Sequence, residues 1–209
     1  MKKKKYKKKV VLLGYPGCGK NTFVKAFRAR YQCGHISPGD CGREEAKKGT
    51  ELGRIIASYQ ERGQLITLDI LRQLLRPKME LFKDENLLFK DGFPRNLLQV
   101  GLFFEFFEEY GFHSVDVIHF DIPIEVCMER LRKRALKEGR ADDARPEAIE
   151  NRFKVFHEET QPVIDYFEHG DGKHRVHFIE LDSTHMKKDA SRYVSELGDL
   201  WGLEERKST

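Results

Sequence analysis

Gly14-Tyr15-Pro16-Gly17-Cys18-Gly19-Lys20-Asn21-Thr22 decides how this chain is read. It stands between an apolar run, Val10-Val11-Leu12-Leu13, and a segment in which Phe23, Val24, Phe27 and Tyr31 recur at helical spacing. Strand, glycine turn, helix is the order of a loop that holds phosphate. Glycines let successive backbone N–H groups curl around phosphate oxygens, since a Cβ would bar the required φ and the close approach. The helix that follows turns its N-terminal dipole toward the same anion. Lys20 supplies a mobile positive charge for the β- and γ-phosphates, and Thr22 a hydroxyl beside the metal or phosphate. The strict pattern G-x-x-x-x-G-K-[ST] is not met, because Asn21 follows the lysine and Thr22 comes one residue later. A plain glycine turn would explain the glycines but not the strand, loop and helix in this order. The G-x-G-x-x-G spacing of dinucleotide folds is absent.

On either side of the loop, short apolar runs alternate with longer amphipathic stretches, the pattern of βαβ units. Strands are expected at Val10–Leu13, Leu87–Lys90, Val115–Phe120 and Val176–Ile179. Helices are expected at about 50–62, 68–82, 97–110, 124–137, 146–169 and 187–201. Continuous apolar strands separated by helices imply a parallel sheet covered on both faces. The expected fold is therefore α/β: three layers around a central parallel sheet of about five strands. Residues 37–66 read as a helical insertion, and the polar stretch 136–146 as a short lid between two long helices.

At 209 residues the chain suits one domain, 10–209, with a core large enough to need no staple. No apolar run approaches the roughly 18 residues of a membrane helix, and Val10–Leu13 is too short for a secretory signal, so a cytoplasmic protein is expected. Of its 38 Lys and Arg, seven lysines stand in residues 2–9, leaving 31 against 34 Asp and Glu. The basicity thus belongs to an expected flexible tail, residues 1–9, and not to a folded surface that would bind nucleic acid. Cys18, Cys33, Cys41 and Cys127 are scattered and form no C-x-x-C pair, which argues against a zinc site or a disulfide framework.

Moving a phosphoryl group requires an aligned acceptor and positive charge spread around the transferring group, with little covalent chemistry. Arg43, Arg95, Arg130, Arg134, Arg140 and Arg152 are candidates, because the arginine fork binds two phosphate oxygens and keeps its charge. Arg95 closes Asp91-Gly92-Phe93-Pro94-Arg95, just past an expected strand end, where ligands collect in open α/β sheets. Asp91 there is placed to hold Mg²⁺ through water. Arg130 and Arg134, four apart, share one helix face beside the expected lid.

From about Val10 to Trp201 the chain resembles the adenylate kinase family, in its short-lid form. The phosphate loop resembles the family's G-x-P-G-x-G-K-G-T, and His35-Ile36-Ser37-Pro38-Gly39-Asp40-Cys41-Gly42-Arg43 its H-I-S-T-G-D-x-x-R. Asp91-Gly92-Phe93-Pro94-Arg95 with Gln99 resembles D-G-F-P-R-x-x-x-Q, and Gly139-Arg140-Ala141-Asp142-Asp143 with Arg152 resembles the short lid. The resemblance implies reversible transfer of the γ-phosphoryl group of MgATP to AMP, giving two ADP, by a monomer whose partners are nucleotides and neither nucleic acid nor membrane. It places Gly17, Cys18, Gly19, Lys20, Asn21 and Thr22 on the ATP phosphates, with Arg130 and Arg134 on the adenine and phosphate side. It places AMP against Pro38, Arg43, Gln64, Leu65, Ile66, Gly92, Phe93, Pro94, Arg95 and Gln99, the last reading the adenine edge. Arg140 and Arg152 would close in with the lid and touch the acceptor too. Lys20, Arg95, Arg134, Arg140 and Arg152 would be the catalytic set. Zinc-binding lids are excluded, since residues 136–146 contain no cysteine.

Two positions depart from the family pattern. Asn21 replaces a glycine at the helix start, and Pro38 replaces a threonine, removing a hydroxyl from the acceptor neighbourhood. The alternatives are a kinase for CMP or UMP, for which Gln99 is the wrong base reader, and a weakened nucleotide-binding homologue, which would have no use for the arginine set. A guanine-nucleotide switch would carry Asn-Lys-x-Asp, which is absent.

Overall fold

A computed structural model describes residues 8–110, 114–138, 145–170 and 172–206. Five strands, β1 (Lys8–Leu13), β2 (Gly34–Ile36), β3 (Leu87–Asp91), β4 (Ser114–Asp121) and β5 (Arg175–Asp182), form one all-parallel sheet. Their order is β2-β3-β1-β4-β5. The helices are α1 (Lys20–Arg30), α2 (Pro38–Ala46), α3 (Glu51–Glu61), α4 (Leu68–Leu81), α5 (Leu97–Glu109), α6 (Ile124–Glu138), α7 (Pro146–Val155), α8 (Gln161–His169) and α9 (Met186–Leu200). A five-residue π turn, Phe156–Thr160, joins α7 to α8.

Side chains of a strand alternate between faces, so the sheet divides the core in two. On one face Val11, Leu13, Leu88, Val115 and Val117 pack with Leu71 and Leu75 of α4, Phe103, Phe106 and Phe107 of α5, and Val163 and Phe167 of α8. On the other, Val10, Leu12, Leu87, Phe89, Ile118 and Phe120 meet Phe23 and Phe27 of α1, Leu131 of α6, and Tyr193 and Val194 of α9. The α5 phenylalanines are core, and Trp201 anchors the end of α9 by lying 5.7 Å from Phe27. Ser37, Thr50, Thr67 and Asn96 cap α2 to α5, each accepting the backbone N–H of the third residue of its helix.

After β1 the chain crosses to the β2 edge and returns through β3 to the flank of β1; only then does it place β4 on the other side. That reversal leaves a crevice beyond the carboxyl ends of β1, β3 and β4, the place where such sheets take ligands.

The sequence expectation differs from the structure at three points. β2 is a strand of three residues, too short to show a periodicity. The single helix expected over 146–169 is interrupted by the π turn. Pro162 has no N–H to give Glu158 and its ring crowds that carbonyl; the wider turn lets the Gln161 N–H bond to Phe156 O instead. β1 begins at Lys8, so two residues of the expected tail belong to the sheet. Lys9 is fully buried, while Lys8 Nζ lies 2.7 Å from Asp116 Oδ2 and 5.4 Å from the Trp201 ring. Residues 1–7, and 139–144 of the expected lid 136–146, with Arg140, lie outside the described residues. Among the described residues no helix is long and apolar enough to cross a membrane.

Candidate active site

The phosphate loop fills the turn from β1 into α1. Gly17 and Gly19 have φ of 90° and 114°. A Cβ on Gly17 would lie 2.8 Å from Cys127 O of α6, and one on Gly19 would lie 2.9 Å from Met186 Cγ of α9. The loop is thus pressed between two helices in a conformation that glycine alone adopts without strain. Lys20 Nζ curls back inside it, donating to Gly14 O at 2.8 Å and Tyr15 O at 3.0 Å, with Cys18 Sγ at 3.1 Å. Cys18 is fully buried and, unlike Gly17, Gly19 and Lys20, is not part of the cavity wall over the loop. Asn21 is exposed at the start of α1.

A cavity of about 780 Å³ opens over this loop. It brings together most of the residues expected from sequence: Gly17, Gly19, Lys20, Asn21, Thr22, Arg43, Gln64, Leu65, Asp91, Gly92, Arg95, Arg130, Arg134 and Arg152. Gln64 and Leu65 also line an adjoining cavity of about 420 Å³, with Ile66 and Gln99 on its wall. Phe93 and Pro94 are buried beneath the Arg95 loop. Pro38 lines neither cavity; it takes the first position of α2, where a missing N–H costs nothing and a fixed φ favours the helix.

Asp91 ends β3 almost fully buried, with His35 Nε2 3.5 Å from its Oδ2. Burial pushes its carboxyl up, but His35, Lys20 and Arg95 together hold it below the usual carboxylate range. The acid is therefore ionised at neutral pH, at the cavity wall beside Lys20. Next to it in β3, the Lys90 ammonium is driven down to about 7 by burial and by the charge of Lys9.

The arginines divide by what they touch. Arg130 donates to Cys18 O at 3.2 Å, Ser183 O at 3.2 Å and Thr184 O at 2.6 Å, tying the phosphate loop to the turn between β5 and α9. Arg43 pairs with Asp40 one turn back on α2. The Arg95 side chain is braced by its own loop, Nε donating to Gly92 O at 2.8 Å. The Arg95 N–H donates to Gln99 Oε1 at 2.9 Å, which fixes the Gln99 amide with its oxygen toward the loop.

Sequence reasoning missed several residues of this wall. Lys25, Lys133, Lys137, Lys187 and Lys188 add positive charge from three helices, and Thr160 comes from the π turn. Lysines on three helices form no local pattern. For Thr160, Gln161-Pro162 inside a helical stretch was the available signal.

The chain matches the family model for adenylate kinase over residues 12–171. It is 36% identical over 166 residues to an adenylate kinase of Phocaeicola vulgatus, covering 79% of this chain and 87% of the relative. An adenylate kinase of Bacteroides fragilis is 37% identical over 166 residues, with the same coverage, and one of Stenotrophomonas maltophilia 35% identical over 159 residues, 76% of this chain and 84% of the relative. With its phosphate loop, its parallel sheet and this extent of likeness, the chain belongs to the adenylate kinase family of phosphotransferases.

Proposed function

We propose that the chain binds MgATP on its phosphate loop and AMP against Arg43, Arg95 and the adjoining cavity, and passes the γ-phosphoryl group between them to give two ADP. The observation that carries this reading is one continuous cavity lined both by Lys20 of the phosphate loop and by Arg43, Arg95 and Arg152. A nucleotide-binding switch would need the first group only.

The chemistry follows from position and charge. Loop N–H groups and the start of α1 hold the β- and γ-phosphates, and Lys20 exchanges its loop carbonyls for phosphate oxygens. Arg43 and Arg95 hold the AMP phosphate, aligning one of its oxygens with the γ-phosphorus. Arg134 and Arg152, with Arg140 of the lid, offset charge on the transferring group. The adenine of AMP lies in the smaller cavity, where Gln99 Nε2 donates to the ring and Oε1 uses its second lone pair for the amino group. Arg130 acts on ATP through the loop that it ties. The ionised Asp91 and the Thr22 hydroxyl at the cavity wall fit a Mg²⁺ held largely by phosphates and water. The ion would neutralise charge on the transferring phosphates.

We read the active unit as a monomer. The four cysteines are free and buried, as suits a reducing cytoplasm. A coupled assay of ADP formation from ATP and AMP tests the reading. Wild-type protein should turn over, and Lys20→Ala should lower kcat by on the order of 100-fold. Near-normal turnover by Lys20→Ala would mean that the reaction is placed wrongly.

A further inference from the structure

We propose that Thr160 is a positioning residue for the acceptor phosphate, and that the π turn Phe156–Thr160 is the joint holding the phosphate loop and the Arg95 loop in one geometry. This rests on the reading of Arg95 as a residue that grips AMP.

Arg95 lies outside every helix and strand, so no regular ladder fixes its backbone. Two side chains do so. Its N–H donates to Gln99 Oε1 of α5, and its C=O accepts from Thr160 Oγ1, each at 2.9 Å. Both peptide groups that flank the Arg95 Cα are thus pinned, and with them the root of the side chain that enters the cavity. Thr160 is 5% exposed and is the last residue of the π turn that runs into α8. Its hydroxyl goes to Arg95.

The other end of the same turn reaches the phosphate loop. The Phe156 ring lies 4.1 Å from that of Tyr15, and His157 Nε2 lies 3.1 Å from the Tyr15 hydroxyl. Five residues therefore contact the donor loop at one end and the acceptor loop at the other. The i→i+5 bond from the Gln161 N–H to Phe156 O widens the helix at this place before it continues as α8. Geometry between the two loops is what in-line transfer requires.

The test is steady-state kinetics of Thr160→Val, which removes the hydroxyl and keeps the shape, beside Thr160→Ser, which keeps the hydroxyl. The valine variant should raise KM for AMP about tenfold, the worth of one well-buried hydrogen bond, with KM for ATP within about twofold of wild type. The serine variant should restore KM for AMP. Melting temperatures confirm that each variant is folded, and Thr160→Ala repeats the comparison if valine unfolds the chain. An unchanged KM for AMP, or KM values for AMP and ATP that rise together, overturns the proposal. Wild-type protein that fails to phosphorylate AMP would instead remove the functional reading beneath it.

Discussion

Lys90 directs its ammonium over the face of Phe103, 4.5 Å from the ring centre, inside the core. The neighbouring ring is Phe93, at 6.0 Å, and Lys90 Nζ has no hydrogen-bond partner. Phe103 offers a cation–π contact, which replaces little of the lost hydration. Burial accordingly holds Lys90 down at about 7 from its ordinary 10.5, and the Lys9 charge adds to the effect. The unfolded chain keeps this proton up to about pH 10.5, and the folded chain only up to about 7. Between those values the unfolded state binds more protons, so the Lys90 contribution to stability rises with pH and is lowest at and below pH 7. Lys90→Met should therefore melt higher than wild type at pH 7, by a few kcal/mol of stability or several degrees. The gain should shrink by pH 9.5. A difference in melting temperature that stays the same at both pH values would contradict this account of Lys90.

Arg130 ties the phosphate loop to the turn between β5 and α9, and its planar fork is what lets it reach both. Arg130→Met should raise KM for ATP about tenfold and lower the melting temperature by a few degrees, since carbonyls of both loops lose a charged donor. Lysine should restore little of either, because a single ammonium cannot span the two loops. Kinetics and melting of the two variants decide this; full rescue by lysine would show that charge alone matters.

The boundary of the lysine-rich segment gives a sharp deletion experiment. Removing residues 2–7 should leave melting temperature and activity unchanged. Removing residues 2–9 takes two residues from β1 and separates Asp116, nearly buried, from Lys8, while His177 stays at 3.2 Å. The melting temperature should then fall by several degrees, the scale of a broken, partly buried ion pair with lost strand pairing. Equal melting temperatures for the two deletions would mean that Lys8 and Lys9 contribute nothing to the sheet.

The sequence was most legible where one local segment carries the whole signal. Gly17, Gly19 and Lys20 announce their loop because the conformation, the charge and the helix start lie within a few residues. Asp91 and Arg95 were readable for the same reason, standing directly after an apolar run. Thr160 was not, because its role is a hydrogen bond to a residue 65 positions earlier in the chain. Lys9 misled for a physical reason: lysine is almost never fully buried, so a strand starting at Val10 was the better expectation. Pro38 was expected against AMP, and its place at the first turn of α2 gives it a structural reason to be there.

The central claim concerns the acceptor, and kcat/KM for AMP, CMP, UMP and GMP at saturating MgATP tests it most directly. The Gln99 amide, fixed by the Arg95 N–H with its nitrogen turned from the loop, suits the adenine edge, and a wrong base leaves polar groups unpaired. AMP should exceed each of the other three by at least tenfold. CMP or UMP outpacing AMP would contradict the reading of Gln99 and of the smaller cavity, and with it the proposed reaction.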